Sequence, residues 1–313
     1  MRMPVKLVIG LALAVAIIGI SVRVAAPTVP SQFIKGRPAS YWVGVLGQNS
    51  NTPPVVFDSL ARGPEAIPFL ARCLEQRNGL IKEIYLKLFP HLPAALQSRL
   101  GRPIDARFVK KSAAHGLFSW IADRALANPW EDVDVSAVPY LIGALRDEDA
   151  EVRRSVAAAL SGAGVAHPEV RMGVVSALIE RLERDPSPLV RENAACTLKF
   201  QGEAAQAAVP ALARALNDTN NNSDVQFFSA SVLKDINPDA AKKAGADAAI
   251  LQWYLDMLRS PDTTHRMVGA MGLGELGKVA LIAVPLLREA SNDRDQEVRK
   301  LAGVALEAIA KAP

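Results

Sequence analysis

Aromatic residues make up only 5% of this 313-residue chain, and there are two cysteines and four histidines. The scarcity of Trp, Tyr and Phe, against abundant Ala and Leu, disfavours a β-sandwich and suits closely packed helices. Two cysteines far apart, Cys73 and Cys196, cannot build a disulfide framework or a four-ligand zinc site. Both read as small core residues. His91, His115, His167 and His265 are scattered, with no His-Glu-x-x-His pair and no Gly-x-Ser-x-Gly elbow. Long apolar runs are also lacking, with one exception at the N-terminus.

That exception is Leu7–Val22, sixteen uncharged residues between Lys6 and Arg23. As a helix it spans about 24 Å, against a hydrocarbon core of about 30 Å. Lys6 and Arg23 can snorkel to the two interfaces and close the gap. Val24-Ala25-Ala26 offers small residues for cleavage, but Pro27 follows at once and opposes it. Residues 1–26 are therefore expected to be a signal anchor, or a signal peptide if cleaved. Positive charge before the segment keeps the N-terminus cytoplasmic, so the rest of the chain is expected to be exported. The expected location is the inner membrane, single-pass with the body on the periplasmic side, or secreted after cleavage.

Net charge is +4, unevenly divided. Residues 1–130 carry 16 Lys/Arg and 6 Asp/Glu, whereas residues 131–313 carry 20 and 26, giving +10 and −6. The basic residues are not interleaved with aromatics, so no nucleic-acid partner is expected.

What is abundant is internal similarity. Asp149-Ala150-Glu151-Val152-Arg153 recurs as Asp295-Gln296-Glu297-Val298-Arg299, with Pro188-Leu189-Val190-Arg191 between them. Ahead of such copies stand Ala137-Val138-Pro139-Tyr140-Leu141, Ala208-Val209-Pro210-Ala211-Leu212 and Ala283-Val284-Pro285-Leu286-Leu287, with Ala66-Ile67-Pro68-Phe69-Leu70 as a fourth. Measured on the Arg of Val-Arg, positions 153, 191, 226, 266 and 299 are 38, 35, 40 and 33 residues apart. Each unit reads as a helix A, a turn rich in Asp, Asn and Pro, and a helix B with apolar residues at helical spacing, such as Val152, Val156 and Leu160. Neither helix buries its stripe alone, so several copies must stack.

These motifs, Asp-x-Glu-Val-Arg opening helix B and Ala-Val-Pro-x-Leu inside helix A, resemble bacterial HEAT repeats of the kind also found in phycobilin-lyase-like proteins. The resemblance covers residues 135–313, with degenerate units over 53–134 and a linker with a short helix over 27–52. It implies an all-α fold, a right-handed α-solenoid of antiparallel helix pairs that presents a surface to protein partners. It also implies that the turn Asp and Arg residues hydrogen-bond between neighbouring units. Gly36-Arg37-Pro38-Ala39-Ser40-Tyr41-Trp42 resembles a leader of exported HEAT proteins. Gln226 and His265 depart from the repeat pattern, and Leu92–Trp130, with Pro93, Pro103 and Pro129, fits no unit cleanly.

Several motifs invite chemistry, and each has a structural reading. Gly272-Leu273-Gly274-Glu275-Leu276-Gly277 matches Gly-x-Gly-x-x-Gly but closes a helix B instead of following a strand. Gly277 is expected to end the helix, and Gly272 and Gly274 to admit a close neighbour. Asp218–Asp224 has calcium-loop spacing but lacks Gly at the sixth position and Glu at the twelfth, so turn chemistry is expected there. Asp149 and Asp295 are expected to cap helices. Glu131, Asp132 and Asp134 sit together beside Trp130 with no catalytic spacing. Trp42, Trp120, Trp130 and Trp253 are expected to pack, with Trp253-Tyr254 the one pair that suits an exposed contact.

The function expected is that of a membrane-tethered scaffold binding a protein, without catalysis, cofactor, metal or small-molecule substrate. The candidates for its interaction face are Arg154, Glu192, Gln226, Arg266 and Lys300. Two alternatives are a lyase-type or other enzyme acting on a bound ligand, and an obligate structural subunit of an envelope complex.

Overall fold

The computed structural model describes residues 33–34, 37–46, 66–75, 83, 86–87, 89–91, 97, 105–122, 135–161 and 163–312. The apolar segment 7–22, Val24-Ala25-Ala26, and the Trp130, Glu131, Asp132 and Asp134 cluster lie outside the described residues. Among the described residues no helix is long and apolar enough to cross a membrane. All described elements are helical except one antiparallel pair, β1 (Phe33–Ile34) and β2 (Arg37–Pro38), with Phe33 opposite Pro38.

The chain forms two compact units, Met1–Val170 and Arg171–Pro313. In the first, β2 leads into α1 (Ala39–Leu46), followed by α2 (Ile67–Cys73), α3 (Ala106–Ala122), α4 (Val138–Ala144), α5 (Ala150–Ala159) and the single turn α6 (Ala163–Ala166). Helix α2 packs on α3 and α4, and α3 on α5. Ile67, Leu70, Val109, Leu117, Leu141 and Val156 fill the space between them. Ser112 Oγ ties α3 to the end of α1 by donating to the Leu46 carbonyl at 3.1 Å.

The second unit holds α7 (Arg171–Arg184), α8 (Pro188–Leu198), α9 (Val209–Asn217), α10 (Ser223–Ile236), α11 (Pro238–Ala244), α12 (Ala246–Leu258), α13 (Thr263–Glu275), α14 (Val284–Ala290) and α15 (Gln296–Lys311). The pairs α7/α8, α9/α10, α12/α13 and α14/α15 are the repeats, each helix packing on its partner across a short turn. This is a helical-repeat fold, as the periodicity predicts.

Local chemistry sets the ends of these helices. Each Ala-Val-Pro copy is the first turn of α4, α9 or α14 and follows a 3₁₀ stretch, Val135–Ala137, Lys199–Ala208 or Gly277–Ala283. Ile67-Pro68 opens α2 in the same way. The motif was expected inside helix A, but proline lacks an N–H and carries a helical φ, so it fits where the N–H needs no partner, in the first turn. At the start of the second helices α5 and α15, Asp149 Oδ1 accepts from Glu151 N and Asp295 Oδ1 from Glu297 N, each at 2.9 Å. Asn222 and Asp262 cap α10 and α13 alike. These caps satisfy backbone donors that a helix start leaves open.

Second helices stack on one another in three places, α3 on α5, α8 on α10 and α13 on α15. Between α10 and α13 the arrangement changes. Helix α11 is inserted against α9 and α10, and α12 lies between α10 and α13, packing on both. The 40-residue step between positions 226 and 266 is the sequence trace of that insertion.

The turn ladder and the face beside it

The turn between the two helices of a repeat is built the same way each time. One aspartate in it, Asp147, Asp185, Asp218 or Asp293, turns its carboxylate onto the backbone N–H two residues on, at 2.9–3.0 Å. Ser260 does so with its hydroxyl, at 3.2 Å. The long side chain early in helix B then donates to the carbonyl of that same residue. Arg153 Nη1 reaches Asp147 O at 2.8 Å, Arg191 Nη1 reaches Asp185 O at 2.6 Å, and Arg299 Nη1 reaches Asp293 O at 2.7 Å. Gln226 Nε2 does the same at Asp218 O, 3.2 Å, and Arg266 Nη1 at Ser260 O, 3.2 Å. An isolated tetrapeptide turn leaves such carbonyls to water, so the guanidinium both closes the turn and fixes the angle between the helices.

The same cation joins neighbouring repeats, as the resemblance implies. Arg266 grips Asp293 of the following turn in a two-pronged pair, Nε to Oδ2 at 2.8 Å and Nη2 to Oδ1 at 3.0 Å. Arg191 Nε donates to Asn221 Oδ1 at 2.8 Å. In the first unit Lys110 meets Asp147 at 2.5 Å, with both side chains nearly buried. That rung places α3 in the position of a second helix, within the stretch Leu92–Trp130 that was expected to fit no unit cleanly. The overlooked signal is Val109-Lys110, which stands where the other copies have Val-Arg. Among the described residues no rung joins Gln226 to Ser260, where α12 lies between their helices.

The five residues expected on an interaction face therefore divide. Arg266 is 8% exposed and bonded to Asp293, Ser260 and Pro261, so it is part of the ladder. Gln226, half-buried, is a ladder residue too. Arg154 in the first unit and Glu192 and Lys300 in the second each stand one residue further on, and in the second unit this position edges a surface strip along the neighbouring helices α13 and α15. The positions equivalent to them are Phe227 and Met267, which a count of one residue on from each ladder position would have found. Arg154 lies over Phe118, 5.8 Å from the ring centroid, and pairs with Glu151 at 3.0 Å. Lys300 pairs with Glu297 at 3.3 Å.

One helical turn along the same strip, Met271 is 50% exposed and Val304 59%. Phe227 stacks on Trp253 with centroids 3.9 Å apart and meets Tyr254 edge-on at 5.4 Å. Trp253 Nε1 donates to Asp224 at 2.8 Å, so this half-buried pair is a joint between α10 and α12, where the charged rung is missing.

The apparent cofactor and calcium motifs have structural occupants. Gly272 lies where a methyl would overlap the Tyr254 ring, and Gly277 ends α13 with φ 54°. In the Asp218–Asp224 turn, Asp218 holds Asn220, Asn221 holds Arg191 and the Ala215 carbonyl, and Asn222 caps α10. Among the described residues no group of three His, Cys, Asp or Glu side chains is placed to hold a metal. Burial pushes the Cys73 thiol up to about 12, and it raises the half-buried Cys196 thiol as well.

Two grooves lie over ladder rungs. One, of about 910 Å³, sits in the second unit over Arg191 and Asn221. The other, of about 360 Å³, sits in the first unit over Lys110 and Asp147.

No family model matches the chain, and no curated protein matches it. Among solved structures, a crystal structure of an engineered protein covers 78% of this chain and 96% of its own at 23% identity, with a TM-score of 0.41. A second engineered protein covers 95% and 79% at 20% identity, TM-score 0.42. Human deoxyhypusine hydroxylase in complex with glycerol covers 82% and 99% at 17% identity, TM-score 0.26. Likenesses of this depth carry no functional argument, and the repeat fold rests on the helices and turns themselves.

Proposed function

We propose that this chain is an exported bacterial scaffold of the HEAT-repeat type, a right-handed superhelix tethered to the inner membrane through residues 7–22. Its body lies on the periplasmic side and binds a protein partner without catalysis. The observation that carries this reading is the division of labour among the polar residues. The turn cations Lys110 and Arg266 are committed to carboxylates of the ladder, while the strip beside it keeps Met271 and Val304 exposed, the latter one helical turn from Lys300. Exposed apolar side chains bordered by charge are the make-up of a protein-binding strip, and methionine adapts to an uneven partner. The apolar segment between Lys6 and Arg23 supports the tether and the export.

Proximity labelling in intact cells, combined with protease treatment of spheroplasts, tests the reading. Digestion of the region after residue 30 from the periplasmic side, together with a reproducible set of labelled envelope proteins, is expected. Full protection of that region, or labelling no different from an untethered control, rules it out.

A further inference from the structure

The rung Arg191–Asn221 differs from its counterparts in one respect. Lys110 and Arg266 each meet a carboxylate, Asp147 or Asp293. Arg191 meets only neutral oxygens, the amide of Asn221 and the carbonyl of Asp185. The amide has its own cause, since Asn221 Nδ2 donates to the Ala215 carbonyl at 2.8 Å, which a carboxylate cannot do. One consequence is a half-buried guanidinium whose charge the rung leaves uncompensated, at the base of the larger groove.

Two of the three carboxylates lining that groove are paired with cations. Asp185 is buried, with Ser187 N on one oxygen at 3.0 Å and Arg181 on the other at 3.4 Å. Glu183 is paired with Arg214. Asp218, exposed at the groove edge, accepts only from the neutral Asn220 and leaves one negative charge against the two cations Arg184 and Arg191. Arg184, exposed on the groove wall, has no ion pair among the described residues. The groove over the Lys110–Asp147 rung provides the contrast. There Arg107 holds Asp105 at 2.8 Å and Lys110 holds Asp147, so its cations are neutralised in place.

We propose that the larger groove binds an acidic peptide segment, with a side-chain carboxylate seated between Arg184 and Arg191. Guanidinium groups match carboxylates in planar, two-pronged fashion. Pro186, Pro188, Ala211 and Leu182 supply a stiff, largely apolar wall for the peptide backbone and its small side chains. About 910 Å³ accommodates a few residues of extended chain. A nucleic acid is a poorer fit, because residues 131–313 carry a net −6 that repels a continuous polyanion while tolerating isolated carboxylates. This site is separate from the strip beside the ladder, and its test requires neither export nor a tether.

The probe is a fluorescein-labelled octapeptide of alternating alanine and glutamate, with its glutamine counterpart as control, titrated against the full chain in detergent by fluorescence anisotropy. The glutamate peptide is expected to bind at least about tenfold more tightly than the control, a difference of about 1.4 kcal/mol. Arg184→Glu reverses one wall charge and breaks no bond in the fold. Asn221→Asp gives Arg191 the carboxylate that Arg266 already has. Each is expected to weaken the glutamate peptide about tenfold or more, with Arg184→Glu still folded and losing only the small stability expected for a charge reversed at the end of α7. Equal binding of the two peptides, no saturable binding by about 1 mM, or unchanged affinity in Arg184→Glu would overturn the proposal.

Discussion

A guanidinium next to a carboxylate changes the acid behaviour of its partner, which makes the ladder measurable. Arg266 holds the Asp293 carboxyl below the usual carboxylate range, chiefly through their hydrogen bonds. A carboxyl depressed by folding adds stability that is complete above its unfolded value, near 4, and is lost as pH falls through the folded value. The urea midpoint of the wild type should therefore drop as pH is lowered from about 5 to about 2. Arg266→Gln, which removes the guanidinium, should start lower at neutral pH and lose less on acidification; parallel pH profiles for the two would show that the pair is not coupled to folding. The near-buried Lys110–Asp147 pair behaves more severely when broken. Lys110→Ala leaves a carboxylate without its cation and should cost about 3 kcal/mol in urea unfolding. At this scale the sequence was readable where a residue acts on its own backbone, as with the caps Asp149 and Asp295. Where two turns meet, the link between repeats was implied only by the resemblance, and nothing adjacent in sequence announces that Lys110 stands in for an arginine.

Helix α13 shows how an element is positioned by what its side chains leave out. A methyl at Gly269 would lie 2.5 Å from Leu258 N and 2.8 Å from Tyr254 O, both backbone atoms of α12. At Gly272 it would meet the Tyr254 ring instead. Both glycines thus allow α12 to lie against α13, and α12 is the helix that replaces the missing rung. Alanine favours a helix over glycine by about 1 kcal/mol. Gly269→Ala should nevertheless destabilise by about 1–3 kcal/mol, since backbone cannot yield. Gly272→Ala should be destabilising in the wild type and much less so in a Tyr254→Ala background, a non-additivity that a double-mutant cycle in urea reads directly. Gly143 in α4 has open space around it, so Gly143→Ala should be neutral or slightly stabilising. The spacing of Gly272 and Gly274 does point to a close neighbour in the sequence. Its identity, and the interposition of α12, come from the insertion of α11, whose composition differs little from that of any other helix.

At the scale of the molecule, the repeating units from 135 onward are legible because their turn chemistry recurs at near-regular spacing. The pairing of α2 with α3 is not, because more than thirty residues separate them and the ladder arginine is a lysine. The candidate site was legible only in part. The expected interaction face put two ladder residues, Gln226 and Arg266, together with three that stand beside the ladder, and the larger groove depends on an asparagine that looks like ordinary turn chemistry in sequence. The central claim is that turn cations hold the repeats while the neighbouring strip meets a partner. Its most direct test is proximity labelling with two variants in parallel, Met271→Ser/Lys300→Glu/Val304→Ser on the strip and Arg266→Gln in the ladder. The account predicts that the strip variant loses its labelled neighbours at an unchanged melting midpoint, while the ladder variant melts lower yet labels the same neighbours when kept below that midpoint. A strip variant that keeps the full labelling profile would contradict it.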